Sequence, residues 1–210
     1  SRRTRRHLPQ HRRSHHRRLL QSRRQRHEPD DTDAHSRTHT DAHSYSDAFG
    51  TGTTGSRIAN GTYAIQAGGA DIWGLSDQFH FANQSLSGDS ELIVRIASLT
   101  QTDPWAKAGL MFRASTAAGS VHVGLFATPT NGVRMQWRPF ASGESQSSPG
   151  NGLAAPQWLR LVRSGNTFTG FASTNGSAWT QIYSVNVGIP TSALAGLAVT
   201  SHNTAARTTA

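Results

Sequence analysis

The sequence contains no cysteine in 210 residues. That excludes a disulfide framework, thiolate metal sites, thiol nucleophiles and thiol redox chemistry, while leaving the compartment open, since many exported proteins also lack cysteine. Lysine occurs once, at Lys107, and methionine twice. No apolar run approaches the roughly 20 residues that a membrane-spanning helix needs, and no apolar stretch follows the arginine-rich start to act as a signal peptide. A membrane is not an expected partner. Because the first residue is Ser1, the chain is expected to be a fragment whose targeting segment, if any, lies elsewhere.

Aromatic residues are missing from residues 1–44, which hold 12 Arg, 8 His and 5 acidic residues. Such a segment cannot assemble a core, and residues 1–48 are expected to form a disordered, low-complexity tail. Arginine-rich arms attract phosphate without reading sequence. They normally accompany a basic or base-stacking domain, whereas residues 45–210 set 9 basic residues against 7 acidic ones. No specific nucleic-acid partner is expected. The stretch 31–48, which cycles through Asp, Thr, Ala, His and Ser, admits another origin. With codons ending mostly in C, a one-nucleotide shift would turn it into Thr-Pro repeats, the composition of a stiff interdomain linker. The segment is thus either an arginine-rich tail or a linker read out of frame.

The remaining residues carry all 16 aromatics and suffice for one domain with a sizeable core. Short apolar or alternating runs separated by Gly, Pro, Asn and Ser predict strands over 62–66, 78–84, 91–98, 106–114, 121–127, 133–139, 158–163, 167–173, 179–184 and 194–200. The turns Leu86-Ser-Gly-Asp, Thr130-Asn-Gly, Arg163-Ser-Gly-Asn and Thr174-Asn-Gly-Ser favour antiparallel hairpins. An all-β sandwich of two sheets follows.

Alternation assigns the faces. Ala108, Leu110 and Phe112 oppose Lys107, Gly109, Met111 and Arg113; Val133, Met135 and Trp137 oppose Arg134, Gln136 and Arg138; in 121–125 the valines, Val121 and Val123, oppose His122. The second face, if hollow, would offer hydrogen-bond donors to an oxygen-rich ligand such as a sugar. Each of these residues would equally suit the solvated face of an antiparallel sheet. Trp137 and Trp158 read as core. Trp73 and Trp105 lie next to turns and are the candidate platforms for a pyranose ring.

The stretches Ala70-Asp-Ile-Trp-Gly, Phe79-His-Phe, Leu86-Ser-Gly-Asp, Thr102-Asp-Pro-Trp-Ala-Lys-Ala-Gly-Leu-Met-Phe-Arg, Gln136-Trp-Arg, Leu161-Val-Arg-Ser-Gly-Asn-Thr-Phe-Thr-Gly-Phe and Val199-Thr-Ser-His-Asn together resemble one family. It is the regulation-of-enolase-like domain of the concanavalin A-like lectin/glucanase superfamily, often appended to secreted bacterial polysaccharide-active enzymes. The similarity runs from about Gly50 to Ala210, and Asp-Pro-Trp-Ala-Lys-Ala-Gly is its most specific part. The resemblance implies a jelly roll of two curved antiparallel sheets over 49–210, with ligand contact on the concave face or its rim. Carried over residue by residue, Trp73, His80, Trp105, Lys107, Arg113, His122, Gln136, Arg138 and His202 would line that face. The ending Thr204-Ala-Ala-Arg-Thr-Thr-Ala departs from the pattern. The closing strand that usually follows Ser-His-Asn is expected to be missing, which would leave an unpaired edge.

Glycosidases flank the scissile bond with two carboxylates about 5 to 9 Å apart. Beyond the tail the only glutamates are Glu91 and Glu144, and nothing in the pattern places them on one face. Asp71, Asp77, Asp89 and Asp103 fall near turns, where capping is the default role. The histidines are scattered and no metal-loop spacing appears after residue 48, so neither a catalytic residue, a metal nor a cofactor is expected. The expectation is a noncatalytic, lectin-like carbohydrate-binding module of a secreted protein, covalently linked to a neighbouring domain. A structural spacer without glycan affinity and a glycosidase-like enzyme are the alternatives.

Overall fold

Each of the ten predicted runs forms a strand. The computed structural model describes residues 44–48, 55–59 and 62–210, all within one unit, Ser36–Ala210. The expectation for the tail lies outside the described residues except at its end, where residues 44–48 form a strand.

The largest sheet has seven strands in the order β1 (Ser44–Ala48), β4 (Phe79–Ser87), β13 (Ser192–Thr200), β6 (Lys107–Arg113), β7 (His122–Ala127), β8 (Val133–Arg138) and β9 (Gln146–Ser147). A four-stranded sheet runs β12 (Thr180–Asn186), β11 (Thr167–Ser173), β10 (Gln157–Ser164) and β5 (Ser90–Ile96). A third comprises β14 (Asn203–Thr209), β3 (Thr62–Gly69) and β2 (Gly55–Ala59). All pairings are antiparallel; the turns at Gly132, Gly165 and Gly176 close hairpins as expected, whereas the turn at Gly88 does not, since it carries the chain from β4 in one sheet to β5 in another. Gly88, Gly132, Gly165 and Gly176 in the four predicted turns all adopt positive φ, between 57° and 74°, a region that is open to glycine and strained for most other residues.

The alternation places its apolar set correctly. Ala108, Leu110 and Phe112 of β6, Val123 and Leu125 of β7, and Val133, Met135 and Trp137 of β8 face Leu159, Leu161, Phe168 and Ala172 of the smaller sheet. Ile65 and Ala67 of β3 join the same core. Trp158 does not, contrary to expectation. In β10 the buried positions are Gln157, Leu159, Leu161 and Arg163, so Trp158 points outward and is half-buried beneath the turn at Gly176. Period two decides this: a core Leu159 forces its neighbour to the other side.

The closing strand is present, which corrects the second expectation. β14 follows Ser201-His202 directly and pairs with β3. Ala210 and Ile65 exchange backbone hydrogen bonds of 2.9 and 3.0 Å, and the buried Thr208 hydroxyl donates to the Thr100 carbonyl at 2.6 Å. The residues that look unlike a strand, Thr-Ala-Ala-Arg-Thr-Thr, are held by this register rather than by an apolar stripe.

The far face of the seven-stranded sheet is not uniformly polar. Phe79, Phe81, Met111, Phe126 and Ala198 form a small second core there, and the loop joining β3 to β4, residues 70–78, folds over it and inserts Ile72. This loop divides the face into a sealed part and an open part.

Candidate functional site

The sealed part centres on Asp77. Its carboxylate accepts from Arg113 Nη1 at 2.6 Å and from Arg138 Nη1 and Nη2 at 2.6 and 2.5 Å, and all three side chains are fully buried. Burying charge is tolerable only with pairing and full hydrogen bonding. Both guanidiniums meet that condition on backbone carbonyls. Arg113 donates to those of Ser115, Ala117 and Ala118, and Arg138 to those of Trp73, Gly74, Ala118, Ser120 and Gly143. Burial alone would raise the Asp77 carboxyl, but the Arg138 hydrogen bond and the charges around it hold it below the ordinary value. His122 lies 3.7 Å from Asp77, is fully buried, and is pushed down to about 3, chiefly by desolvation. It is therefore neutral near pH 7.

Arg113, His122 and Arg138 are thus not ligand-facing, which corrects three of the nine predicted site residues. They clasp three loops together: 70–78, 114–121 and 139–145. Backbone bonds reinforce the clasp, from Asp77 N to the Ala118 carbonyl at 3.0 Å, Ser142 N to the Gly119 carbonyl at 2.7 Å and Ser145 N to the Gly74 carbonyl at 3.2 Å. His80 is a fourth correction. It pairs with Val199, a residue of the main core, and so lies on the sheet's inner face, away from the others.

The remaining five predicted residues, Trp73, Trp105, Lys107, Gln136 and His202, meet around one open cavity of about 280 Å³, with Asp71, Arg134 and Ser147 completing it. Strand geometry provides the floor. Lys107 and Gln136 stand on the far face of β6 and β8, and both are almost wholly buried. Trp73 hangs from the clasped loop and is 40% exposed. Trp105 precedes β6 in a turn held by its own amide, which donates to Asp103 Oδ1 at 2.7 Å. The Arg134 guanidinium lies 5.1 Å from the Trp105 ring centroid, a cation–π contact that fixes both.

Asp71 organises one wall. Its Oδ1 accepts from Lys107 Nζ and, at 2.7 Å, from the Ile72 amide, and its Oδ2 lies 3.2 Å from His202 Nε2. His202 Nδ1 lies 3.1 Å from Asp103 Oδ1, and the residue adopts φ 51°. Such a backbone is uncommon outside glycine and is sustained here by the tight Ser-His-Asn turn. Burial pulls the Lys107 ammonium below its ordinary value, and Asp71 opposes that pull. Gln136 Oε1 is buried and has no hydrogen-bond partner among the described residues.

The reading from sequence missed Asp71 and Ser147 and left Arg134 out of the site. Asp71 sits two residues before Trp73, but its partner Lys107 is 36 positions away and β9 is two residues long, so neither leaves a periodic signal. Of the turn aspartates, Asp103 and Asp71 accept from amides of their own turns, both at 2.7 Å, Asp89 accepts at 2.6 Å from Gly165 in another hairpin, and Asp77 serves the buried cluster alone. Glu91 pairs with Arg160 on the four-stranded sheet, and Glu144 is exposed in the loop after β8. Glu91 thus lies on a strand of one sheet and Glu144 in a loop of another.

No protein-family model and no curated protein matches the chain. Among solved structures, a functionally unknown protein from Saccharomyces cerevisiae superposes with a TM-score of 0.61 at 13% identity, over 80% of this chain and 91% of that one. A mutant of the GH43 protein BlXynB from Bacillus licheniformis gives 0.47 at 13% identity, over 72% of this chain and 31% of that one. The second likeness is too loose to argue from, and the first shows the fold alone: an all-β sandwich of antiparallel sheets.

Proposed function

We propose that residues 49–210 form a noncatalytic, lectin-like carbohydrate-binding module, a regulation-of-enolase-like domain that serves a secreted, multidomain polysaccharide-active protein by tethering it to a polymer. The observation that carries this reading is the convergence of Trp73, Trp105, Lys107, Gln136 and His202 on one open cavity. These residues come from four separate motifs of the family resemblance. A half-exposed indole beside buried polar groups suits a pyranose ring, whose apolar face packs on the aromatic while its hydroxyls exchange hydrogen bonds.

The noncatalytic part is supported by the carboxylates. Asp71 is committed to Lys107, Ile72 and His202, and neither Glu91 nor Glu144 borders the cavity. Among the described residues Asp71 is the one carboxylate that lines the cavity, and Asp103 is held against His202 and the Trp105 amide rather than facing the open space.

Affinity electrophoresis of the full chain over a panel of neutral and acidic soluble polysaccharides tests the reading. At least one polymer should retard the protein, and Trp73→Ala, whose side chain is exposed on the clasped loop, should abolish most of that retardation while leaving the thermal midpoint within about 2 °C of the parent. Unchanged mobility on every polymer would favour a structural spacer and remove the binding assignment.

A further inference from the structure

The hydrogen-bond inventory of the cavity is lopsided. The carboxylate that lines it, Asp71, is engaged by Lys107, the Ile72 amide and His202, and Asp103 stands against the other ring nitrogen of His202. The donors are not fully used. An ammonium has three N–H groups, and among the described residues Lys107 Nζ bonds only Asp71. Arg134 spends Nε on the Asn131 carbonyl and Nη1 on the Ser148 carbonyl, both at 3.1 Å, and among the described residues leaves Nη2 unused. Opposed to this surplus of cationic donors stands one orphan acceptor, Gln136 Oε1, buried on the floor. A buried acceptor without a partner is costly. A ligand that repairs the site therefore brings an oxyanion for the cations and a hydroxyl for the amide oxygen.

We infer that the cavity selects an acidic sugar, a pyranose ring bearing a carboxylate, whose oxyanion is received by Lys107 and Arg134 while an adjacent ring hydroxyl donates to Gln136 Oε1. This rests on the carbohydrate-binding reading and narrows its ligand to hexuronates. The planar guanidinium is suited to a carboxylate, and its stacking on Trp105 holds it in place before the ligand arrives. A neutral sugar would leave the spare N–H groups without an anionic partner.

Titration calorimetry of the full chain with trigalacturonate, with its trimethyl ester and with dextran sulfate tests the assignment. Trigalacturonate should bind at least tenfold more tightly than the ester. Gln136→Leu should weaken it about tenfold or more without lowering the thermal midpoint, because the substitution removes an orphan acceptor rather than a structural bond; Arg134→Gln should weaken it similarly. Glu91→Gln, on the other sheet, should change nothing. Equal affinity for acid and ester would overturn the acidic preference while leaving the carbohydrate reading intact. Failure of both ligands, together with every polymer of the wider panel, would remove that reading itself. The 12 arginines before residue 45 attract any polyanion. Trigalacturonate binding that matches dextran sulfate in strength and survives Arg134→Gln unchanged would assign the attraction to the tail and sink the inference.

Discussion

His122 illustrates how one residue's environment sets the response of the whole fold to acid. Desolvation, with Arg113 and Arg138 beside it and Asp77 and a Ser120 backbone hydrogen bond in opposition, holds the folded imidazole down to about 3, against 6.5 for an ordinary histidine. An unfolded chain therefore takes up a proton below pH 6.5 that the folded chain refuses. The contribution is complete above pH 6.5 and falls by about 1.4 kcal/mol per pH unit as the pH drops towards 3. Asp77, held below its ordinary 3.8, adds a further loss only once the pH falls below that value. Urea unfolding of the parent and of His122→Gln between pH 7.5 and 4.5 separates the two. The parent should lose stability more steeply below about pH 6.5, and parallel slopes would contradict a buried neutral imidazole.

Asp77 is the other decisive residue, since among the described residues it alone offsets Arg113 and Arg138 by direct contact. Asp77→Asn should destabilise the protein by about 3–5 kcal/mol, because it leaves two buried guanidiniums without their counter-charge. Equilibrium denaturation reads this directly. Arg138→Lys should be nearly as damaging, as an ammonium cannot reach the carbonyls of three loops that the planar guanidinium spans.

Among the elements, β14 shows the largest gap between how a segment reads and what it does. Its composition carries no apolar alternation, and sequence reasoning ended the sandwich before it. The register with β3, the Thr208 hydroxyl on Thr100 and the Ala210 pairing with Ile65 make it a strand by hydrogen bonding. Deleting residues 203–210 should expose the edge of β3 and uncover Ile65 and Ala67. Increased aggregation and a lower thermal midpoint are the expected outcomes, measured by light scattering and thermal denaturation; unchanged behaviour would show that β3 needs no partner on that side. The loop 70–78 is the converse case. It reads as a turn-rich connection, yet its Ile72 and Asp77 are anchored in two separate clusters, and between them it presents Asp71 and Trp73 to the cavity.

For the molecule as a whole, the sheet face predicted to be a polar trough is half clasp and half cavity. A ligand that engages only the open half acts on the folded state alone, so it stabilises by mass action. At a hundredfold excess over its dissociation constant, an acidic oligosaccharide should add about 2.7 kcal/mol. For a chain of this size that raises the thermal midpoint by roughly 5–10 °C. Scanning calorimetry with and without trigalacturonate measures it, and Gln136→Leu should cancel the shift.

The ten predicted strands, the four glycine turns and the apolar partners in β6, β7 and β8 were legible because each depends on residues within a few positions of one another. Burial with period two and positive φ at a turn both leave local traces. The face to which Lys107, Arg134 and Gln136 belong was legible for the same reason. Which part of that face stays open was not. Asp77 meets Arg138 across 61 positions and Asp71 meets Lys107 across 36, and a carboxylate near a turn looks the same whether it caps a backbone amide or neutralises a buried arginine. Local pattern thus determined the strands and their two sides, while only the folding of a loop over the sheet decided which cations were sealed into the scaffold and which were left facing a ligand.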